Sequence, residues 1–258
     1  MGAQLIALTQ QVAPGLLVFA RVAGVFLAAP VVGGTWAPAR IKALLAFAIT
    51  LVIAPGLDLA PGIAGGATYM LALGSELLIG LMLGFFFNLF IEAVRFGGDL
   101  IGRQAGFAAA ELFDPNAGGM TGPLGSLLHL ATVLLFLAID GHHQVFLALQ
   151  HSYALVAGGA MPRTEPIGPA VALGANQVFV IAVSLAFPLM IAVMAITVAD
   201  GIIARAIPQI NLLMITFINK ILVTVFLLYV GMPAVVTFLG LVLRMARGFT
   251  FEFLRALS

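Results

Sequence analysis

Cysteine is missing altogether, which excludes a disulfide framework, a thiolate metal site and a cysteine nucleophile. Charge is nearly as scarce: Asp, Glu, Lys and Arg supply 8% of the 258 residues, against about 25% in a soluble domain. The eleven basic and ten acidic residues leave a net charge of +1, and they stand singly, without the clustered Lys/Arg stripe that a phosphate backbone needs. Nucleic acid is excluded as a partner. Phosphate-cradling glycine motifs, a His-Glu-x-x-His helix and a Gly-x-Ser-x-Gly elbow are also lacking. The sequence therefore offers no catalytic, cofactor-binding or metal-binding residue and reads as a non-enzyme without a cofactor. Met1 to Gln11 holds no basic residue ahead of the first apolar run, and Arg21 falls inside that run. This is the wrong order for a cleaved signal peptide, so the first segment is expected to stay on.

What the chain does have is apolar residue. The hydrophobic share is 62% and the mean hydropathy +1.18, where a soluble domain carries roughly 45–50% apolar residues. An all-α integral membrane protein follows, with 1–258 read as one membrane-embedded unit. A bilayer core of about 30 Å takes about 20 helical residues, and that ruler marks six segments. They run at about 12–29, 41–55, 67–91, 127–157, 177–203 and 210–243. Several are broken: the fourth by Asp140-Gly-His-His143, the fifth by Pro188, the sixth by Lys220 and Gly231-Met-Pro233. Trp36, between Pro30 and Pro38, suits a membrane interface.

Under a six-span model with the N-terminus outside, the positive-inside rule sets Arg40, Lys42, Arg95, Arg103 and Arg205 against Arg163, Arg244, Arg247 and Arg255. That split is too even to orient anything. A hairpin near Gly231 would move the basic tail inside. Broken helices and helical hairpins are thus expected rather than a six-span serpentine.

Glycine recurs every four residues at Gly80 and Gly84 and at Gly98, Gly102 and Gly106, leaving bare helix faces where another backbone can approach closely. Arg21, Glu76, Asp200 and Lys220 lie inside apolar segments, where a charge costs roughly 2.5–3.5 kcal/mol on insertion scales. Pairing between helices is the expected use, and an ion path the alternative. The amides of Gln209 and Asn211 call for hydrogen-bond partners or for headgroup water. Asp140-Gly-His142-His143 reads as a turn, because adjacent helical residues point about 100° apart and no third ligand follows.

Certain strings, in this order, resemble the FliR family of flagellar export-gate proteins, whose injectisome counterpart is SctT. They are Phe19-x-Arg21-x-x-Gly24-x-Phe26 running to Pro30, Pro38-Ala-Arg40, and Glu76-x-x-x-Gly80-x-x-x-Gly84. Gly97-Gly98, Gly102 and Gly106 follow, leading to Asp114-Pro115, then Leu135-Phe-Leu137 with Gly141-His142, Ser152-Tyr153, and Arg205-Ala-Ile-Pro208-Gln209-Ile-Asn211. The resemblance spans about Phe19 to Lys220.

It implies a non-enzymatic subunit of the bacterial inner membrane and flagellar basal body. Such a subunit assembles with FliP-like and FliQ-like subunits, beside FlhB-like and FlhA-like proteins, into a pore for unfolded flagellar proteins. It also implies a pore plug at about 106–123, here Gly106, Phe107, Ala109, Leu112, Phe113, Asp114, Pro115 and Met120, with Ala109 and Leu112 where the family carries bulkier residues. Arg205, Gln209 and Asn211 join Arg21, Glu76, Asp200 and Lys220 as intramembrane polar contacts. An injectisome gate subunit is the alternative. A secondary ion-coupled transporter built on Pro188, Asp200 and Glu76 is a remoter one, for want of an internal repeat. Since the resembling gate rises largely out of the membrane, the apolar surface is expected to meet partner proteins as well as lipid.

Overall fold

The computed structural model describes residues 2–30, 33, 38–57, 66–107, 122–206 and 212–257, and for residues 2–12, 204, 206 and 212–214 it describes the backbone alone. Within them the chain forms helices α1 (Gly2–Ala28), α2 (Ala39–Ile53, followed by a 3-10 turn at Ala54–Gly56), α3 (Gly66–Ala105) and α4 (Pro123–Ala138). Helices α5 (Gly141–Leu155), α6 (Ile167–Ala206) and α7 (Leu212–Leu257) complete the described order. Helix is the form such a composition permits, because hydrocarbon offers backbone N–H and C=O groups no outside partner. Among the described residues, four helical stretches are long and apolar enough to cross a membrane, at Ala39–Gly56, Gly66–Ala105, Ile167–Ile203 and Ile215–Leu257. The broken pair α4/α5 makes up to five. The protein is an all-α integral membrane protein, with four to five such stretches among the described residues.

Helices α3 and α6 have 40 residues each and α7 has 46. At about 1.5 Å per residue they are roughly 60–70 Å long, twice the bilayer core. The hairpin expected near Gly231 is not formed: α7 runs through Gly231 and Pro233 without a break, as α6 runs through Pro188. A helical proline forfeits one backbone hydrogen bond, whereas a hairpin in apolar surroundings would strand several groups at a few kcal/mol each. The break at Asp140 does form. Asp140 takes the left-handed conformation at φ 56°, which Asp adopts more readily than most residues, and α5 begins at the next residue.

The chain divides into two compact units. The first takes in residues 1–89, 137–174 and 245–258. Its core is a set of helical stripes: Val18, Val22 and Val25 on α1, Ile79, Leu83 and Phe86 on α3, Val145 and Leu149 on α5. Phe86 meets Phe249 and Phe253 of α7 edge-on, with centroids 5.0 and 4.8 Å apart. The second unit takes in residues 90–136 and 175–244. Its core holds Val94 and Ile101 of α3, Leu128 of α4, Ile181, Leu185 and Leu189 of α6, and Leu239 of α7. The far face of α6 is apolar yet exposed, at Val183, Phe187, Ile191, Met194, Val198 and Ile202.

Candidate functional site

In the first unit, three helices meet over a buried ion pair. Arg21 of α1 and Glu76 of α3 are both fully buried. The guanidinium grips the carboxylate with two bonds, Nε to Oε2 at 2.6 Å and Nη2 to Oε1 at 3.0 Å. Two further donors reach Ser152 Oγ of α5 at 3.0 Å and the Val156 carbonyl at 3.1 Å. Gly159 N–H donates to Glu76 Oε1 at 2.7 Å. The guanidinium lies 4.1 Å from the centroid of the Tyr153 ring, and that phenol donates to the Val18 carbonyl at 3.2 Å. Arg21 and Glu76 are thus bonded to each other and to α5 and the residues after it, out of reach of solvent. What the cluster does is hold α1, α3, α5 and the start of the next loop in one register.

Glycine makes this convergence possible. A Cβ on Gly24 would lie 2.5 Å from the Leu77 carbonyl and 2.8 Å from Leu81 N, and one on Gly80 would run into the Arg21 carbonyl. A Cβ on Gly84 would stand 2.6 Å from Ala29 N. The Gly80/Gly84 face is thus spent on α1 of the same chain.

In the second unit, Glu92, Arg95, Asp99 and Arg103 recur every three or four residues along α3, and so share one face. Glu92 pairs with Arg95 at 3.1 Å and lies 3.7 Å from His129 Nδ1 of α4. With about a third of each side chain exposed, these pairs add only about 0–1 kcal/mol. Asp99 matters more. Its Oδ1 accepts the Gly122 N–H at 2.9 Å, at the N-terminus of α4, where a carboxylate satisfies an orphan donor and complements the helix dipole. Asp99→Ala is expected to cost about 1 kcal/mol, read as a lower melting temperature of the solubilised protein; an unchanged melting temperature would remove the cap.

The glycine row on α3 divides. A Cβ on Gly98 would sit 2.8 Å from the Gly125 Cα of α4, whereas on Gly102 the nearest atom is the Leu124 Cβ at 3.6 Å, an ordinary contact. Gly106 is a helix stop. Its N–H donates to the Arg103 carbonyl at 3.2 Å and Phe107 N–H to the Gly102 carbonyl at 3.0 Å, the paired bonds of a Schellman motif with Gly106 at φ 93°. Gly106 and Phe107 are the described part of the expected plug; Ala109, Leu112, Phe113, Asp114, Pro115 and Met120 lie outside the described residues.

At the far end of α6, Asp200 is 5% exposed and its Oδ1 accepts a bond from Asn219 Nδ2 at 3.3 Å. Its Oδ2 has no hydrogen-bond partner among the described residues. Lys220 is half-buried and Arg205 exposed in the last turn of α6, while Gln209, Asn211 and Trp36 lie outside the described residues. Among the described residues no three His, Cys, Asp or Glu side chains could hold a metal ion; His142 and Asp140 approach to 3.9 Å with both side chains mostly exposed. Sequence reasoning missed Val156, Gly159, Asp99 as a cap, and His129. Only Asp99 carried a signal, a carboxylate followed later in the chain by the helix-opening Gly122-Pro123.

Comparison with known proteins matches this sequence to one family. The sequence profile described as bacterial export proteins, family 1, matches residues 12–245. The flagellar biosynthetic protein FliR of Bacillus subtilis (strain 168) is 29% identical over 223 residues, 85% of this chain and 86% of that protein. FliR of Pectobacterium carotovorum is 30% identical over 222 residues, 85% of this chain and 84% of its own. Yop proteins translocation protein T of Yersinia pestis is 30% identical over 146 residues, 56% of each chain. The chain therefore belongs to family 1 of the bacterial export proteins, the FliR family.

Proposed function

We propose that this chain is a structural subunit of the type III protein export gate in the bacterial inner membrane, acting in flagellum assembly and performing no catalysis. The observation that carries this is the match to FliR proteins over most of both chains, 84–86% of theirs. The flagellar system is favoured over the injectisome because the match to the Yersinia translocation protein covers 56% of each chain. In this reading FliP-like and FliQ-like subunits complete the pore, FlhB-like and FlhA-like proteins stand beside it, and unfolded flagellar proteins pass through. The ion-pair cluster supports such a role, since a rigid frame is what a gate subunit needs around its moving part. The segment after the Gly106 stop acts in this reading as the plug, an apolar constriction able to exclude water and ions by dewetting while yielding to a passing chain.

A strain lacking this chain is expected to export no flagellar protein, and the tagged chain to leave native membranes in complex with FliP-like and FliQ-like subunits. A chain that purifies alone from a strain whose export is intact would sink the proposal. The plug has its own test, clean because the chain has no native cysteine. Single cysteines at positions 105–123 should resist a membrane-impermeant thiol reagent at rest and react when the gate is open. Uniform labelling at rest would leave the export role standing without this plug.

A further inference from the structure

In the second unit, α3 ends against α7. Gly106 stops the helix at φ 93°, and a Cβ built on it would lie 2.8 Å from Cδ1 and 3.2 Å from Cε1 of Phe217. The edge of that ring therefore fills the place a side chain would take. Glycine is required here twice over, once for a left-handed conformation that other residues rarely adopt and once for the room Phe217 occupies. The next residue is packed on the same helix: Phe107 borders an apolar groove with Pro123 and Leu124 of α4 and with Val225, Leu228 and Tyr229 of α7.

Helical spacing accounts for the place of the ring. Phe217, Thr224, Leu228, Val235 and Leu239 stand on one face of α7, and Thr224, Val235 and Leu239 are buried. Phe217 is half-buried, at the end of that inward stripe nearest the start of the helix. Glycine has the most permissive backbone of any residue, so a bare Gly106 would let the chain leave α3 in several directions. The two Schellman bonds, at 3.2 and 3.0 Å, select one of them. Helix ends fray, however, and an obstacle beside the Cα holds the selected conformation when the terminal bonds open. We propose that Phe217 is a positioning residue for the root of the plug: its ring, set against Gly106, holds the end of α3 in one conformation and so fixes the direction in which Phe107 leaves the helix. The consequence for export rests on reading the segment after Gly106 as the plug, whereas the contact itself does not.

The test uses the assembly in which the chain leaves native membranes, carrying Ala109→Cys as its one cysteine. Phe217→Ala should speed the reaction of that cysteine with a membrane-impermeant thiol reagent at rest about 10-fold, for about 1.4 kcal/mol of lost contact. Phe217→Leu, which keeps most of the bulk, should speed it less. Leu239→Ala is the control. That side chain is 2% exposed on the same face of α7, so its loss should lower the melting temperature at least as far as Phe217→Ala does and leave the labelling rate alone. If the cysteine is protected at rest, an unchanged rate in Phe217→Ala, or an equal rise in Leu239→Ala, overturns the proposal. If it labels freely with Phe217 in place, the plug reading fails, and a nitroxide attached to the same cysteine decides the proposal by itself. Phe217→Ala should then sharpen the spectral lines of the nitroxide, and lines of unchanged width would refute the role of the contact.

Discussion

Replacing Arg21 with methionine is expected to lower the stability of this protein by about 3–5 kcal/mol, the usual cost of removing one partner of a buried ion pair. The cause is less the lost attraction than what stays behind. Glu76 is fully buried, and without the guanidinium only the Gly159 N–H at 2.7 Å still bonds to it among the described residues. Ser152 Oγ and the Val156 carbonyl lose the donors that reach them at 3.0 and 3.1 Å. Glu76→Leu alone should be similarly harmful, because it strands the cation. The pair Arg21→Met with Glu76→Leu should recover most of the loss, since apolar replacements of a buried pair are often neutral or better. Thermal unfolding of the solubilised protein, followed by fluorescence-detected size-exclusion chromatography, measures all three. If the double variant melts no higher than either single one, the cluster is not held together by charge pairing.

The second large effect is a contrast between two glycines that look alike in sequence. Gly80→Ala should destabilise, and Gly102→Ala should be neutral or slightly stabilising. Alanine favours a helix interior over glycine by roughly 0.5–1 kcal/mol at both positions. At Gly80 the new methyl would run into the Arg21 carbonyl and lie 3.0 Å from Val25 N, backbone atoms that cannot turn aside. Overpacking of this kind costs about 1–3 kcal/mol or more, and α1 would be pushed off its contact. At Gly102 the nearest atom is 3.6 Å away, so the propensity gain survives. Equal melting temperatures for the two variants would refute the close α1–α3 crossing.

That contrast marks the limit of what could be read from sequence. Helix existence was legible, because apolar runs of this length have few other uses, and the break at Asp140-Gly141 was legible from its residues. The uninterrupted course of α7 was not. Gly231 and Pro233 are breakers in water, and the fact that an apolar setting makes breaking costlier than bending past a proline is a property of the surroundings. The four-residue glycine spacing located bare faces but could not tell Gly98, pressed against Gly125, from Gly102, which has room. Arg21 and Glu76 stood out as charges in apolar segments, yet their partners are set by tertiary contact. Ser152 and Val156 lie 131 and 135 positions from Arg21, beyond anything a local pattern reports. Gly159, at φ 86°, shows in sequence only as one of two adjacent glycines.

Those separations also set a timetable for biosynthesis. Glu76 follows Arg21 by 55 residues and Ser152 follows it by 131. At roughly 5–20 residues per second, the ribosome takes about 3–11 s to make the carboxylate and about 7–26 s to make the hydroxyl. During the first interval Arg21 has neither of its charged or hydroxyl partners, so α1 in hydrocarbon would carry an unpaired charge at roughly 2.5–3.5 kcal/mol. That cost is relieved when α3 brings Glu76, and the register of the first unit is closed only when α5 brings Ser152.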